Sequence, residues 1–140
     1  MEYKKFGNKY VLRMDKDEEV VETLKNFCEK EDIKLGWLKG LGAVNEASIG
    51  LFETKSKEYH TKDLKGDFEI TSLLGNISRM DGEVYLHLHV NLADEKYNTQ
   101  GGHLSKAVIS ATGEFIIEEM DGEVGREFND EVGLNLYKFE

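Results

Sequence analysis

Proline is missing from all 140 residues, and cysteine occurs once, as Cys28. The lack of proline excludes Pro-rich linkers and Pro-containing DNA-binding arms. A lone cysteine excludes an intrachain disulfide and suits a reducing compartment. Basic residues are also scarce: 18 Lys and Arg face 28 Asp and Glu, a net charge of −10. Duplex binding is driven by cations that neutralise phosphates, so this balance opposes contact with nucleic acid and with anionic membranes. Beyond the pair Lys4-Lys5 there is no basic run. No apolar stretch approaches the length of a membrane span, and the opening MEYKKFGNKYVL lacks the apolar centre of a signal peptide. The expectation is a cytoplasmic protein without a membrane partner.

What remains is an ordinary globular composition, 39% hydrophobic and 33% charged. A chain of this length buries roughly 68% of its unfolded surface. No repeat, linker or low-complexity segment divides it, so we expect one domain over 1–140. The first residues alternate around Gly7-Asn8 and predict a β-hairpin, with Tyr10, Leu12 and Met14 on one face. A helix is predicted over 16–31. There Val20, Val21, Leu24, Phe27 and Cys28 fall on one stripe, and Asp15 with Glu18 has capping-box spacing. Cys28 reads as a small buried thiol.

From Ile33 onward the pattern is β. IKLGWLKGLGAV and NEASIGLFET read as two strands joined by a Gly-rich bend. KEYHTKDLKG and DFEITSLLGNISR read as two more, with Gly66-Asp67 as the turn. Asp81-Gly82 is the strongest hairpin signal and introduces VYLHLHVNLAD. HLSKAVISAT, GEFIIEEMDG and GLNLYKFE complete the set. One helix beside about seven strands with short connections predicts an α+β fold on a mainly antiparallel sheet.

Three of the four histidines lie in 84–104. Val84, Leu86, Leu88, Val90 and Leu92 alternate with Tyr85, His87, His89 and Asn91. Residues two apart on a strand share a face, so His87 and His89 stand about 6–7 Å apart at the backbone. His103 returns beside His89 if 83–93 and 103–111 pair, and Gly101-Gly102 allows a close approach or a tight turn there. Three neutral imidazoles with an open position make the ligand set of a catalytic zinc site. Asp94, Glu69 and Glu114 are candidates to orient a ligand imidazole. The spacing equally fits two histidines on the wet face of a strand and a third capping a loop. His60 carries no assignment. Gly40-Leu-Gly42 lacks the third glycine and following helix of a dinucleotide fingerprint, and Gly75-Asn76 with Ser78 reads as a turn.

Taken together, Arg13-Met-Asp-Lys-Asp-Glu-Glu19 entering a helix, GLGAVNEASIGLFE (40–53), GDFEITSLLGNIS (66–78), HLHVNLAD (87–94), GGHL (101–104) and Glu114 resemble the plants-and-prokaryotes conserved (PPC) domain. The resemblance runs through the whole chain in order. It implies an antiparallel sheet of about seven strands with flanking helices, one main and others short, assembled as a homotrimer. It also implies that His87, His89 and His103 bind a metal ion, zinc or another divalent transition metal. In land plants this domain accompanies an AT-hook, the source of the family's DNA-binding label. Without proline there is no Arg-Gly-Arg-Pro core, and the sole Gly-Arg is Gly125-Arg126. The expected function is therefore a stand-alone, metal-binding, trimeric protein taking a small anionic ligand. DNA-associated function is the alternative, disfavoured by charge. If a reaction occurs it is metal-assisted hydrolysis or lyase-type chemistry on a small molecule. The catalytic candidates are Glu69 or Glu114 as base and Arg13 for an anion.

Overall fold

The computed structural model describes residues 1–139. The order of elements is β1 (Glu2–Phe6), β2 (Lys9–Met14), α1 (Val20–Lys30), β3 (Gly36–Glu53), β4 (Glu58–Met80), β5 (Glu83–Ala93), β6 (Thr99–Glu119), β7 (Gly125–Asn129) and β8 (Leu134–Lys138). A six-stranded antiparallel sheet runs β1-β2-β6-β3-β4-β5, and β5 also pairs with β6. The pairings β6–β3, β3–β4, β4–β5 and β5–β6 thus close a ring, from which β2 and β1 extend. A separate ribbon pairs β7 with β8.

Three predicted boundaries change. β3, β4 and β6 are each one long strand where the sequence suggested two. Their glycines lie within the strands, at or opposite bulges, rather than in turns. Val44 faces Phe68 while Glu46 faces Lys65, so β4 carries an extra residue at Gly66, whose φ is +130°. Gly75-Asn76 lies inside β4, where Asn76 faces His87, and forms no turn. Among the described residues α1 is the one helix, so the expected short extra helices are not found. The connections between β3, β4, β5 and β6 span only a few residues and leave no chain for them.

The helix starts later than predicted. Glu19 is its N-cap, accepting from the amides of Val21 (3.2 Å) and Glu22 (2.6 Å). Asp15 and Glu18 instead form a turn in which the Asp15 amide donates to Glu18 Oε2 at 2.6 Å. This segment also completes the sheet. One edge of β6 pairs with β5 at its start and β2 at its end. In the gap between them, Asp17 N donates to Ile109 O, Ile109 N to Glu18 O, and Ala107 N to Glu19 Oε1, all at 2.9–3.0 Å.

The expected apolar faces form the core. Tyr10, Leu12 and Met14 of β2 and Leu24, Phe27 and Cys28 of α1 are buried together, with Phe27 edge-on to Tyr10 at 5.3 Å. Burial pushes the Cys28 thiol up to about 12, so it behaves as an apolar side chain. On β5, Val84, Leu88, Val90 and Leu92 point inward and Leu86 packs against them. Their alternation leaves Tyr85, His87 and His89 on the outer face. No helix among the described residues is long and apolar enough to cross a membrane.

Candidate metal centre

Two strands position three imidazoles. His87 and His89 stand two apart on β5, and His103, near the start of β6, lies directly across from His89. Their ring centroids are 5.0 Å (His87–His89), 5.4 Å (His87–His103) and 5.8 Å (His89–His103) apart. One nitrogen from each ring lies within 4.8 Å of the others. The Nε2 atoms of His87 and His89 approach to 3.2 Å.

The glycines matter through space and not through φ. A Cβ at Gly101 would overlap the Asn91 side chain and the Val90 carbonyl, and one at Gly102 would overlap the Gly50 carbonyl. Bare backbone at both positions lets β6 press against β5 and β3, which sets His103 beside its partners. On the far side, the Tyr59 ring packs on His103 at 5.3 Å.

The electrostatics favour neutral rings at His87 and His103. Burial, then the neighbouring His89 and His103 and the Arg126 charge, brings His87 down to about 4. Burial and His89 also lower His103. Neutral imidazole is the form that ligates metal. The buried Nδ1 of His103 has no hydrogen-bond partner. Such an orphan is costly unless something binds it or its ring. Converging nitrogens, neutral rings and an orphaned donor atom fit a divalent metal ion of the zinc type with an open position.

The carboxylates proposed from sequence sit elsewhere. Glu69 pairs with Ala93, five residues along β4 from Leu74, the neighbour of His89. It lines a separate cavity of about 370 Å³ with Asp67, Asp94 and Glu95. Glu114 lies opposite Leu41 and Arg13, eleven residues along β6 from His103, roughly 35 Å of strand path. Arg13 pairs with Glu2 (3.3 Å) and Asp15 (3.2 Å). Asp94 shapes the β5–β6 connection by accepting from the amides of Lys96 and Asn98, both at 2.9 Å. The structure brings none of the four to the imidazoles. Sequence reasoning missed Arg126, whose guanidinium stacks on Tyr85 at 4.6 Å. Its one sequence signal is the isolated Gly-Arg.

Known proteins share this fold. A protein from Bacteroides thetaiotaomicron, assigned to DNA binding only provisionally, is 38% identical, with 99% of this chain and 96% of that one covered and a TM-score of 0.96. A metal-containing protein from Archaeoglobus fulgidus is 32% identical over 99% and 97% of the two chains, with a TM-score of 0.88. A plant- and prokaryote-conserved protein from Pyrococcus horikoshii is 34% identical over 99% and 96%, with a TM-score of 0.87. No curated protein matches. The Plants and Prokaryotes Conserved (PCC) domain matches residues 1–121, and the chain belongs to that family.

Proposed function

We propose that the chain binds a divalent transition metal ion, zinc before others, through His87, His89 and His103, and presents it to a small anionic ligand within a homotrimer. The observation that carries this reading is the convergence of three nitrogens within 4.8 Å, two of them from rings, His87 and His103, that resist protonation. A similar protein being metal-containing supports it. An ion held this way polarises a ligand oxygen as a Lewis acid. The chain's own residues then bind, orient and shield. Tyr59 walls off the His103 side, and Tyr85 continues the face beside His87. Among the described residues, no Asp or Glu joins the three histidines as a further metal-ligating group.

Trimer formation is supported by an exposed apolar face on the outer side of the sheet. Val11, Leu41, Leu74 and Ile116 stand there around a shallow cavity of about 410 Å³. Apolar patches of this kind mark protein interfaces. DNA association, the label carried by a similar protein, is opposed by the net charge of −10.

Metal analysis of tag-free protein tests the proposal. Wild type should carry or take up one ion per chain, and a His87→Ala/His89→Ala variant should lose it. Equal metal in both overturns the assignment.

A further inference from the structure

Each of the other two arginines has a carboxylate partner: Arg13 meets Glu2 and Asp15, and Arg79 meets Asp32 at 2.9 Å. Arg126 has none among the described residues. Its Nε donates to Ser78 Oγ (2.8 Å) and its Nη1 to the Asn135 carbonyl (2.9 Å), both uncharged acceptors. Its Nη2 is buried without any acceptor. The guanidinium packs over the rings of Tyr85 (4.6 Å) and Tyr137 (4.2 Å). Two ring contacts hold the guanidinium in place and leave the Nη2 edge as its unused hydrogen-bonding side. An uncompensated, partly buried cation is costly. It is the more conspicuous in a chain with 28 acidic residues.

Position explains what that cation faces. Tyr85 shares the outer face of β5 with His87, two residues on. The opposite flank is closed by Tyr59 against His103. Guanidinium, tyrosines and imidazoles therefore form one continuous patch. Three neutral imidazoles leave a bound divalent ion with its full double charge, next to a guanidinium that is also uncompensated. Like charges at this range repel, and an anion between them relieves both.

We propose that Arg126 is the residue that recognises the negative charge of a small oxyanion, a carboxylate or phosphate, bound at the histidine cluster. This rests on the metal reading above. The oxygen of such a ligand supplies the acceptor that Nη2 lacks, in a charge-assisted hydrogen bond. Arg126 and Tyr137 belong to the β7–β8 ribbon, which meets the rest of the chain through Arg79 N to Val124 O (3.1 Å), Lys57 Nζ to Asp130 O (2.6 Å), Asn135 Nδ2 to Tyr85 OH (3.4 Å) and the Arg126 contacts with Ser78 and Tyr85. Contact with the ligand requires the buried Nη2 edge to be uncovered by movement of this ribbon.

Cobalt(II)-loaded full-length protein, followed by its visible absorption, tests this. Titration of the wild type with acetate and with inorganic phosphate should give a saturable spectral change. A response to acetate alone identifies a carboxylate ligand and a response to phosphate alone a phosphate; either supports the proposal. Arg126→Gln should weaken that response roughly tenfold or more, as expected for loss of one charge-assisted hydrogen bond, while cobalt uptake stays unchanged. Tyr137→Leu, which keeps the charge but removes one ring contact, should weaken it less and serves if Arg126→Gln does not fold. An unchanged anion response in either folded variant, or no response to any anion in the wild type, overturns the role of Arg126 and leaves the metal site standing. A wild type that takes up no cobalt overturns the metal site itself, and this role with it.

Discussion

At the scale of single residues, His87 carries the clearest consequence. Burial lowers it from the ordinary histidine value of 6.5 to about 4, so the folded chain resists a proton that the unfolded chain accepts. Between those values the unfolded state binds more protons, and stability rises with pH. In metal-free protein the contribution is complete above about pH 6.5 and drains away as pH falls towards 4. Half-exposure of the ring limits it to the order of 1 kcal/mol. Urea midpoints measured across that range should fall less steeply for His87→Ala than for wild type; parallel slopes would contradict the burial argument. Gly101 acts through close packing. Gly101→Ala forces a methyl against Val90 and Asn91 and should cost about 1–3 kcal/mol in denaturant titration, the usual range for overpacking. It should also weaken metal binding by displacing His103. Much at this scale could be read in advance: strict alternation put His87 and His89 on one face, and the glycine pair pointed to His103. Arg126 could not be read, because its neighbours Ser78, Tyr85 and Tyr137 come from three separate strands.

At the scale of elements, Glu19 links helix to sheet. Its carboxylate caps α1 at Val21 and Glu22 and also accepts from Ala107 in β6. Glu19→Ala should therefore cost about 1–2 kcal/mol, at the upper end for an N-cap, measured by thermal or urea unfolding. A loss near zero would show that water replaces the cap. The sequence pointed to Asp15 and Glu18 instead, since capping-box spacing is present there. Those residues are used in a turn, and tertiary bonding to β6 decides where the helix begins. The same contest explains the strands. Gly66 and the Gly40–Gly42 stretch look like chain reversals by composition, but pairing continues on either side, with a bulge at Gly66 and another in β4 opposite Gly40–Gly42. Asp81-Gly82 was legible because both residues have positive φ (+53° and +84°) and nothing lengthens the hairpin.

For the whole molecule, the acidic balance opposes contact with nucleic acid, and the exposed apolar face is the surface through which the proposed trimer would form. Leu41 and Leu74 are 59% and 54% exposed. Leu74 also faces His89 across the β4–β5 pairing, so the apolar face adjoins the metal centre. Sedimentation should give three times the chain mass of 16.0 kDa at micromolar concentration. Leu74→Asp should reduce that mass to the monomer's without unfolding the chain. A wild-type monomer would remove the trimer from the account. Whether three histidines hold one metal ion is decided by anomalous diffraction at the zinc edge from crystals of zinc-treated, tag-free protein. One peak per chain is expected, about 2.0–2.1 Å from a nitrogen of each of His87, His89 and His103. No peak between these rings, or one held by other residues, would contradict it.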